Sequence, residues 1–468
     1  MFNQIMLSLN LGLLLLIFFC LLFLIFRWKQ IVKKVTNSFM QTIFTDNFDE
    51  NLTELLSGIK RFGGVQTIIE NSLRAEGKEV LHRPLGSPKN WPHFDSITFI
   101  PAQTTPFPVS ATKEVDLRVT IGPNAKKPLQ LDIPLLVSGM AYGEGVSEKV
   151  KIALAQATTN AGTATNSGEG PFLPEERQAA KNYILQFSKT HWGKEEKELK
   201  QADMIEIKLG QGALAGMGDR LPPEKVSGRA RKLMNLEEGE DAIINEQFFE
   251  NQSLNDLKEL VADLRLLTGG VPIGAKIMAG GSIEEDIDHL LEIGVDVIAI
   301  DGGQAATRGG PIILQDDFGI PTVHAVVRAA QHLHKRGMKG LVSLIISGGL
   351  KSPGDYLKVL AFGADAIYLG STMLYTIAHK QILKPLPWEP PTQIVWYDGK
   401  LQDQFDVKKG AEAGANFLQA SSEEMKVGLR AMGKTSLKEL STKDLVSYDY
   451  YTAKMASIPF SFQSGQQQ

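Results

Sequence analysis

Along the middle of the chain, short runs in which almost every residue is apolar alternate with longer stretches whose apolar positions recur every three or four residues. The first pattern suits strands buried on both faces and the second suits helices with one buried face, so the alternation predicts βα units feeding a parallel sheet. Strand-like runs fall at residues 134–139, 163–167, 204–209, 273–279, 295–301, 341–347 and 366–370. Between them, Leu257, Leu260, Val261, Leu264 and Leu267 repeat at helical spacing, as do Ile283, Ile287, Leu290 and Leu291 behind a Ser282/Glu285 capping pair. Seven such runs point to an α/β fold, a (β/α)8 TIM barrel, with residues 182–189 as either the eighth strand or part of an insertion.

The flanks read differently. Residues 5–26 are apolar except for Ser8 and Asn10, about the length that crosses a bilayer as a helix, and Arg27, Lys29, Lys33 and Lys34 follow at once. That charge placement predicts an N-terminal transmembrane helix with the catalytic domain facing the cytoplasm. A cleaved signal peptide would need a basic start and a small-residue cleavage site, which this start lacks. The expected organisation is an anchor and basic flank over 1–34, a Pro-rich wrapping segment over 35–131, the barrel over 132–383 and a helical C-terminal extension over 384–468. In that extension Ser421 with Glu424, and Ser436 with Glu439, read as helix starts. The stretch GLRAMGKT, 428–435, matches a phosphate-loop pattern in letters only, because it continues a helix where that loop needs a preceding strand, and Gly433 is where the helix should stop.

Chemistry enters at the carboxyl ends of the strands. LVSLIISGGL and ADAIYLGS each run from a buried strand into glycine, the pattern of a phosphate cradle after the seventh and eighth strands of a barrel. Ser352 followed by Pro353 predicts a helix N-terminus directed at that cradle. Lys208 and Lys276 stand in otherwise apolar strands, where an unpaired charge is costly, and both suit an anion or a cofactor edge. Glu206 shares the parity of Lys208, so at least one of the two should lie inside the barrel. Glu169, between glycines in TNSGEG, is a general acid, a substrate contact or a solvated loop carboxylate. The glycines of DGGQAATRGGP, Gly302 and Gly303 among them, either fold over a bound ring or form a plain flexible loop, and Arg308 there adds a cation. The long irregular stretch 210–253 follows a barrel strand, where active-site loops commonly sit.

Composition narrows the choices. A net charge of -4 gives no bulk attraction for nucleic acid, so no nucleic-acid partner is expected. The one cysteine, Cys20, lies in the N-terminal apolar run, which excludes a cysteine-ligated metal, an iron–sulfur centre or a cysteine nucleophile in the barrel. A barrel dehydrogenase of the IMP type, which needs a loop cysteine, is thereby excluded. His332 and His334 fall on different helix faces, and no metal site is expected.

Taken together, SGMAYG, TNSGEG, IEIKLGQGA, DGGQAATRGGP, ISGGL and YLGS resemble, in order and spacing, the synthase domain of glutamate synthase, and in particular its short stand-alone FMN-binding members. The resemblance implies a barrel with FMN at its mouth that reduces 2-iminoglutarate, formed from 2-oxoglutarate and ammonia, to glutamate. By that resemblance Ser138, Gly139 and Met140 line the flavin, and Lys276 sits at its pyrimidine edge. Gly348, Gly349, Gly370 and Ser371 hold the phosphate, while Glu169, Lys208 and Gln211 bind the substrate. The missing cysteine cluster implies an external electron donor, and the missing glutaminase domain implies free ammonia or ammonia from another subunit. Leu214 stands where the family's QGAKPG-like loop carries a second lysine. That change leaves open another amino or 2-oxo acid as substrate, or a non-catalytic, membrane-anchored flavin-binding protein.

Overall fold

The computed structural model describes residues 2–47, 51–61, 63–77, 80–83, 86–381 and 392–462, and divides the chain into two compact units, Met1–Leu81 and His82–Gln468. The first unit holds the helices Phe2–Thr45, Leu52–Arg61 and Val65–Glu76. Among the described residues no single helix is long and apolar enough to cross a membrane; Leu9–Phe23 and Ile25–Thr45 meet the requirement only as a pair bent by 53°. The expected span over 5–26 falls across the bend of that pair. The second member of the pair carries the basic flank.

The second unit is built around eight parallel strands: β1 (Leu135–Val137), β2 (Ala164–Asn166), β3 (Asn182–Phe187), β4 (Met204–Lys208), β5 (Ile273–Met278), β6 (Val297–Asp301), β7 (Ser343–Ser347) and β8 (Ala366–Leu369). Hydrogen-bonded neighbours run β1-β8-β7-β6-β5-β4-β3-β2, so residues 182–187 are a barrel strand and not part of an insertion. The seam lies between β1 and β2, where no ladder forms among the described residues. Glycines zip it instead. A Cβ on Gly139 would stand 2.9 Å from Asn166 Oδ1, and one on Gly168, at φ +68°, would stand 2.5 Å from the Met140 carbonyl carbon. The two loops approach as closely as they do because neither carries a side chain there.

Strand alternation sorts the core into two layers. Ile205 and Ile207 of β4, Ile273 and Ala275 of β5 and Ile298 and Ile300 of β6 face the helices, while Leu136, Ile184, Met204, Val297 and Ile345 face the barrel axis. A hairpin, Val119–Ile121 with Leu129–Leu131, plugs the amino-terminal end and puts Ile121, Leu129 and Leu131 into that inner cluster. Toward the carboxyl ends the positions of the same parity turn polar: Asn166, Gln186, Glu206, Lys208, Lys276, Asp301 and Tyr368. A device repeats at the other end of the strands. Asp203, Asp296 and Asp365, just before β4, β6 and β8, accept the N–H of Tyr183 (2.8 Å), Ile273 (2.9 Å) and Leu344 (2.7 Å) near the starts of β3, β5 and β7.

The helices that matter to the site are α1 (Glu148–Ala161), α2 (Pro174–Ala179), α3 (Leu254–Leu267), α4 (Ile283–Glu292), α5 (Thr322–Lys335), α6 (Pro353–Phe362), α7 (Ser371–Ile377) and α8 (Val407–Ala431). Two expected caps are corrected. Ser282 makes no side-chain cap bond to α4, its backbone lying at ψ 32° and not in the extended region usual for a cap, and Ser421 lies buried inside α8, whose cap is Asp406 accepting from Lys409 N. Ser436 caps a single 3-10 turn, Leu437–Glu439, and Gly433, at φ 76°, follows the end of α8 as expected. The C-terminal extension is part of the barrel unit. Gly410 and Gly414 of α8 press against Ala153 and Ala157 of α1, and Leu445–Ser447 pairs antiparallel with Ile97–Phe99.

Candidate active site

A cavity of about 360 Å³ opens at the carboxyl ends of the strands, within the range of small-molecule and cofactor sites. One end is glycine and hydroxyl: Ser347 at the end of β7 with Gly348 and Gly349 behind it, and Gly370, Ser371 and Thr372 after β8. Gly348 (φ +120°) and Gly349 (φ +68°) adopt backbone that side chains disfavour, and a Cβ on either would strike Thr322 Oγ1 at 2.5 Å or Gln304 Cβ at 2.8 Å. The Thr322 hydroxyl donates to Gly348 O (2.8 Å) and Gln304 Oε1 accepts from Thr322 N (2.8 Å), fixing the bend against α5. The helix that opens on this end is α7. Ser352 caps α6 as expected, accepting from Asp355 N with Pro353 at the first helical position, and Lys351, just ahead of that cap, lines the cavity.

The middle of the site is a hydrogen-bonded polar layer. Glu206, fully buried, accepts from Asn166 Nδ2 (2.8 Å) and Gln186 Nε2 (2.8 Å) through Oε1 and from the Tyr368 hydroxyl (2.8 Å) through Oε2. Three donors satisfy a carboxylate that would otherwise be very costly inside a barrel. Lys276 lies 3.3 Å from Asp301 Oδ2 and 5.4 Å from the centre of the Tyr368 ring. Burial alone would lower its pKa, but Asp301 and then Glu206 outweigh that and hold it above the ordinary lysine value, so Lys276 is a permanent cation in the cavity wall. Asp301 Oδ2 also accepts from Gly212 N (3.0 Å), while its Oδ1 is sealed without a partner.

The far end mixes carboxyls with apolar walls. Lys208 pairs closely with Glu169 Oε1, and Glu169 Oε2, buried at the cavity wall, has no partner. Lys189 stands near this pair and donates to Gly216 O and Glu246 O (2.9 Å each); burial, then Lys208, lower its pKa. Leu214, Leu221, Ile244 and Asp219, all from the irregular stretch after β4, complete the wall with Trp396. Arg308 is committed to structure. It donates to Glu144 O (2.7 Å), pairs with Asp398 and lies over Trp396, tying the loops after β6 and β1 to the segment after the barrel.

Beneath the TNSGEG loop, Lys151 of α1 and Glu176 of α2 form an ion pair at 2.9 Å with each side chain 1% exposed. Lys151 Nζ also donates to Asn166 O and Ser167 O (2.9 Å each), fixing the carbonyls that precede Glu169. Burial lowers the Lys151 pKa and raises that of Glu176 to about 7.

The structure brings Ser138, Gly139, Met140, Glu169, Gln211, Lys276, Gly348, Gly349, Gly370 and Ser371 to one cavity. Lys208 stands directly behind Glu169. Gly302 and Gly303 lie behind the wall, where a Cβ would meet Thr322 Cα at 2.5 Å or the Trp91 ring at 3.0 Å, and the wall itself begins at Gln304. Residues that sequence reasoning missed include Asn166, Gln186, Tyr368, Lys151 and Glu144. For the first three the signal was strand parity, each sharing the inward face with Glu206; nothing local marks Lys151.

The site fits the group implied by the resemblance: a glycine cradle for a phosphate at one end, a permanent cation in the wall at mid-cavity, and room for a ring between. Residues 92–435 match the family model described as a conserved region in glutamate synthase. A glutamate synthase large subunit-like protein of Rhizobium meliloti is 31% identical over 400 residues, covering 81% of this chain and 89% of that one. An archaeal-type glutamate synthase (NADPH) of Thermotoga maritima is 31% identical over 331 residues, covering 70% of this chain. The match takes in 64% of that relative's length. Among solved structures, the recombinant flavin-binding domain of baker's yeast flavocytochrome b2 aligns with a TM-score of 0.51 at 18% identity over 83% of this chain and 84% of that one, a likeness of fold.

Proposed function

Because the chain belongs to the glutamate synthase family, we propose that it is an FMN-dependent oxidoreductase that reduces the imine of a 2-oxo acid to the amino acid, with glutamate, made from 2-oxoglutarate and ammonia, as the product to test first. One observation carries the reading: a single cavity joins the glycine bends at 348–349 and 370 to Lys276 and to the Glu169–Lys208 pair. Gly348, Gly349, Gly370 and Ser371 hold the cofactor phosphate, Ser138, Gly139 and Met140 line its ring, and Lys276 faces its electron-rich edge. The bound flavin supplies the hydride chemistry, while this chain's residues orient the substrate and exclude water from it. Lys208 and Gln211 receive the substrate carboxylate beside Glu169. Electrons come from an external donor.

Full-length protein incubated with FMN, 2-oxoglutarate, ammonia and an artificial reductant should form glutamate; none at saturating substrate would remove the substrate claim. A second reading, another amino or 2-oxo acid, is favoured by Leu214, which puts an apolar side chain in the cavity wall where the family motif leads one to expect a lysine. Substrate-induced shifts of the flavin spectrum separate the two.

We also propose that the N-terminal unit anchors the barrel to a membrane from its cytoplasmic side, with the apolar stretch through Phe26 in lipid and Arg27, Lys29, Lys33 and Lys34 at the surface. Support comes from composition and from the bent helix pair, Leu9–Phe23 with Ile25–Thr45. Full-length protein should stay with membranes through an alkaline wash, and release into the wash would count against the anchor.

A further inference from the structure

Glu144 holds neither cofactor nor substrate carboxylate in the proposed arrangement, and its setting is unusual. It follows β1 on the loop that carries Ser138, Gly139 and Met140, and it lines the cavity. Its Oε1 is sealed from solvent and has no hydrogen-bond partner among the described residues. The backbone is pinned, since Glu144 O accepts from Arg308 Nη1 at 2.7 Å and Arg308 is itself held by Asp398. The charged groups that influence it are Glu169 on the loop after β2, Lys208 at the end of β4 and Asp219 in the irregular stretch that follows β4. Glu169 is 9% exposed, lines the same cavity and has its own unpartnered oxygen, Oε2.

We propose that Glu144 is the proton donor at the substrate end of the site, a carboxylic acid that delivers its proton to the nitrogen of the imine as the substrate is reduced. The inference rests on the oxidoreductase reading and adds to it the source of the proton. Its Oε1 is sealed from water, and burial and, next, the neighbouring Glu169 hold this carboxyl well above the usual carboxylate range, which favours the protonated form. The step balances. The imine carbon accepts a hydride from the reduced flavin, whose oxidation provides the two electrons, and the C=N π pair withdraws onto nitrogen. Nitrogen takes the proton of Glu144, the O–H bond breaks, and the resulting carboxylate is stabilised by the Lys208 charge until solvent restores the proton.

The test has two readouts on the full chain. Infrared spectra at neutral pH should show a protonated-carboxyl band that Glu144→Gln removes and Glu144→Asp retains; the bands of Glu176 and Asp365, raised to about 7 and about 6, are not altered by either substitution. With FMN loaded and reduced, Glu144→Gln should slow reoxidation by an imine about 100-fold or more, the contribution expected of a positioned acid. Its reoxidation by ferricyanide, which needs no proton at nitrogen, should be unchanged. A carboxyl spectrum that Glu144→Gln leaves intact overturns the proposal, as does an unchanged rate with imine. If the wild-type protein holds the protonated carboxyl but is reoxidised by no imine, the oxidoreductase reading fails and the donor role fails with it; if imines react at the wild-type rate without the carboxyl, the donor role alone fails.

Discussion

Two buried lysines stand at the mouth, and their surroundings predict different failures. Lys208 is committed to Glu169 at the substrate end, so Lys208→Ala should leave FMN bound and abolish turnover, read by flavin titration and by glutamate formation; full activity would show that the carboxylate of the substrate sits elsewhere. Lys276 is paired with Asp301 deep in the wall, at 3% and 6% exposure. Removing it strands a buried carboxylate, which costs about 3 kcal/mol in comparable sites. Lys276→Ala should therefore lower the urea midpoint of the flavin-free protein as well as weaken FMN binding and make the bound flavin harder to reduce. A variant of unchanged stability would mean that Asp301 finds another partner.

At the scale of elements, buried ion pairs and end-of-strand aspartates position the loops. Lys151→Met should destabilise the protein by about 3 kcal/mol in urea unfolding, and adding Glu176→Leu should recover part of that loss, because a fully apolar pair leaves no orphan charge. Asp365 offers a pH test. Burial raises its pKa to about 6 from 3.8, so the folded protein holds this proton more tightly than the unfolded chain does. Its contribution is complete below pH 3.8 and is lost as pH rises through about 6, and Asp365→Asn should flatten urea midpoints over that window. Strand runs and helical periodicity make most of the barrel legible in the amino-acid sequence, and the glycine ends mark one end of the cavity. Three features are not legible there. Residues 182–187 carry Asn182 and Gln186 among their apolar positions, which blurs the strand signal. Ser282 and Ser421 have the right neighbours for caps, but the backbone around them is set by tertiary packing. Lys151 sits on the core face of α1, and its partner Glu176 lies 25 residues away, a pairing that only the folded chain creates.

For the whole molecule, the barrel, its bottom plug and the C-terminal helix form one unit that holds a cavity, and the N-terminal helices form another. The glycine contacts between loops, Gly139 with Asn166, Gly168 with Met140 and Gly348 with Thr322, explain why the mouth keeps its shape: each loop is seated on the backbone or side chain of a neighbour. In the proposed arrangement this mouth grips FMN, phosphate against the bends at 348–349 and 370 and ring beside Lys276. The most direct measurement is the visible spectrum of the purified full-length protein, followed by release and identification of its chromophore. A yellow protein with one FMN per chain is expected, or stoichiometric uptake when FMN is added to protein purified without it. A folded, colourless protein that takes up no FMN would contradict the claim.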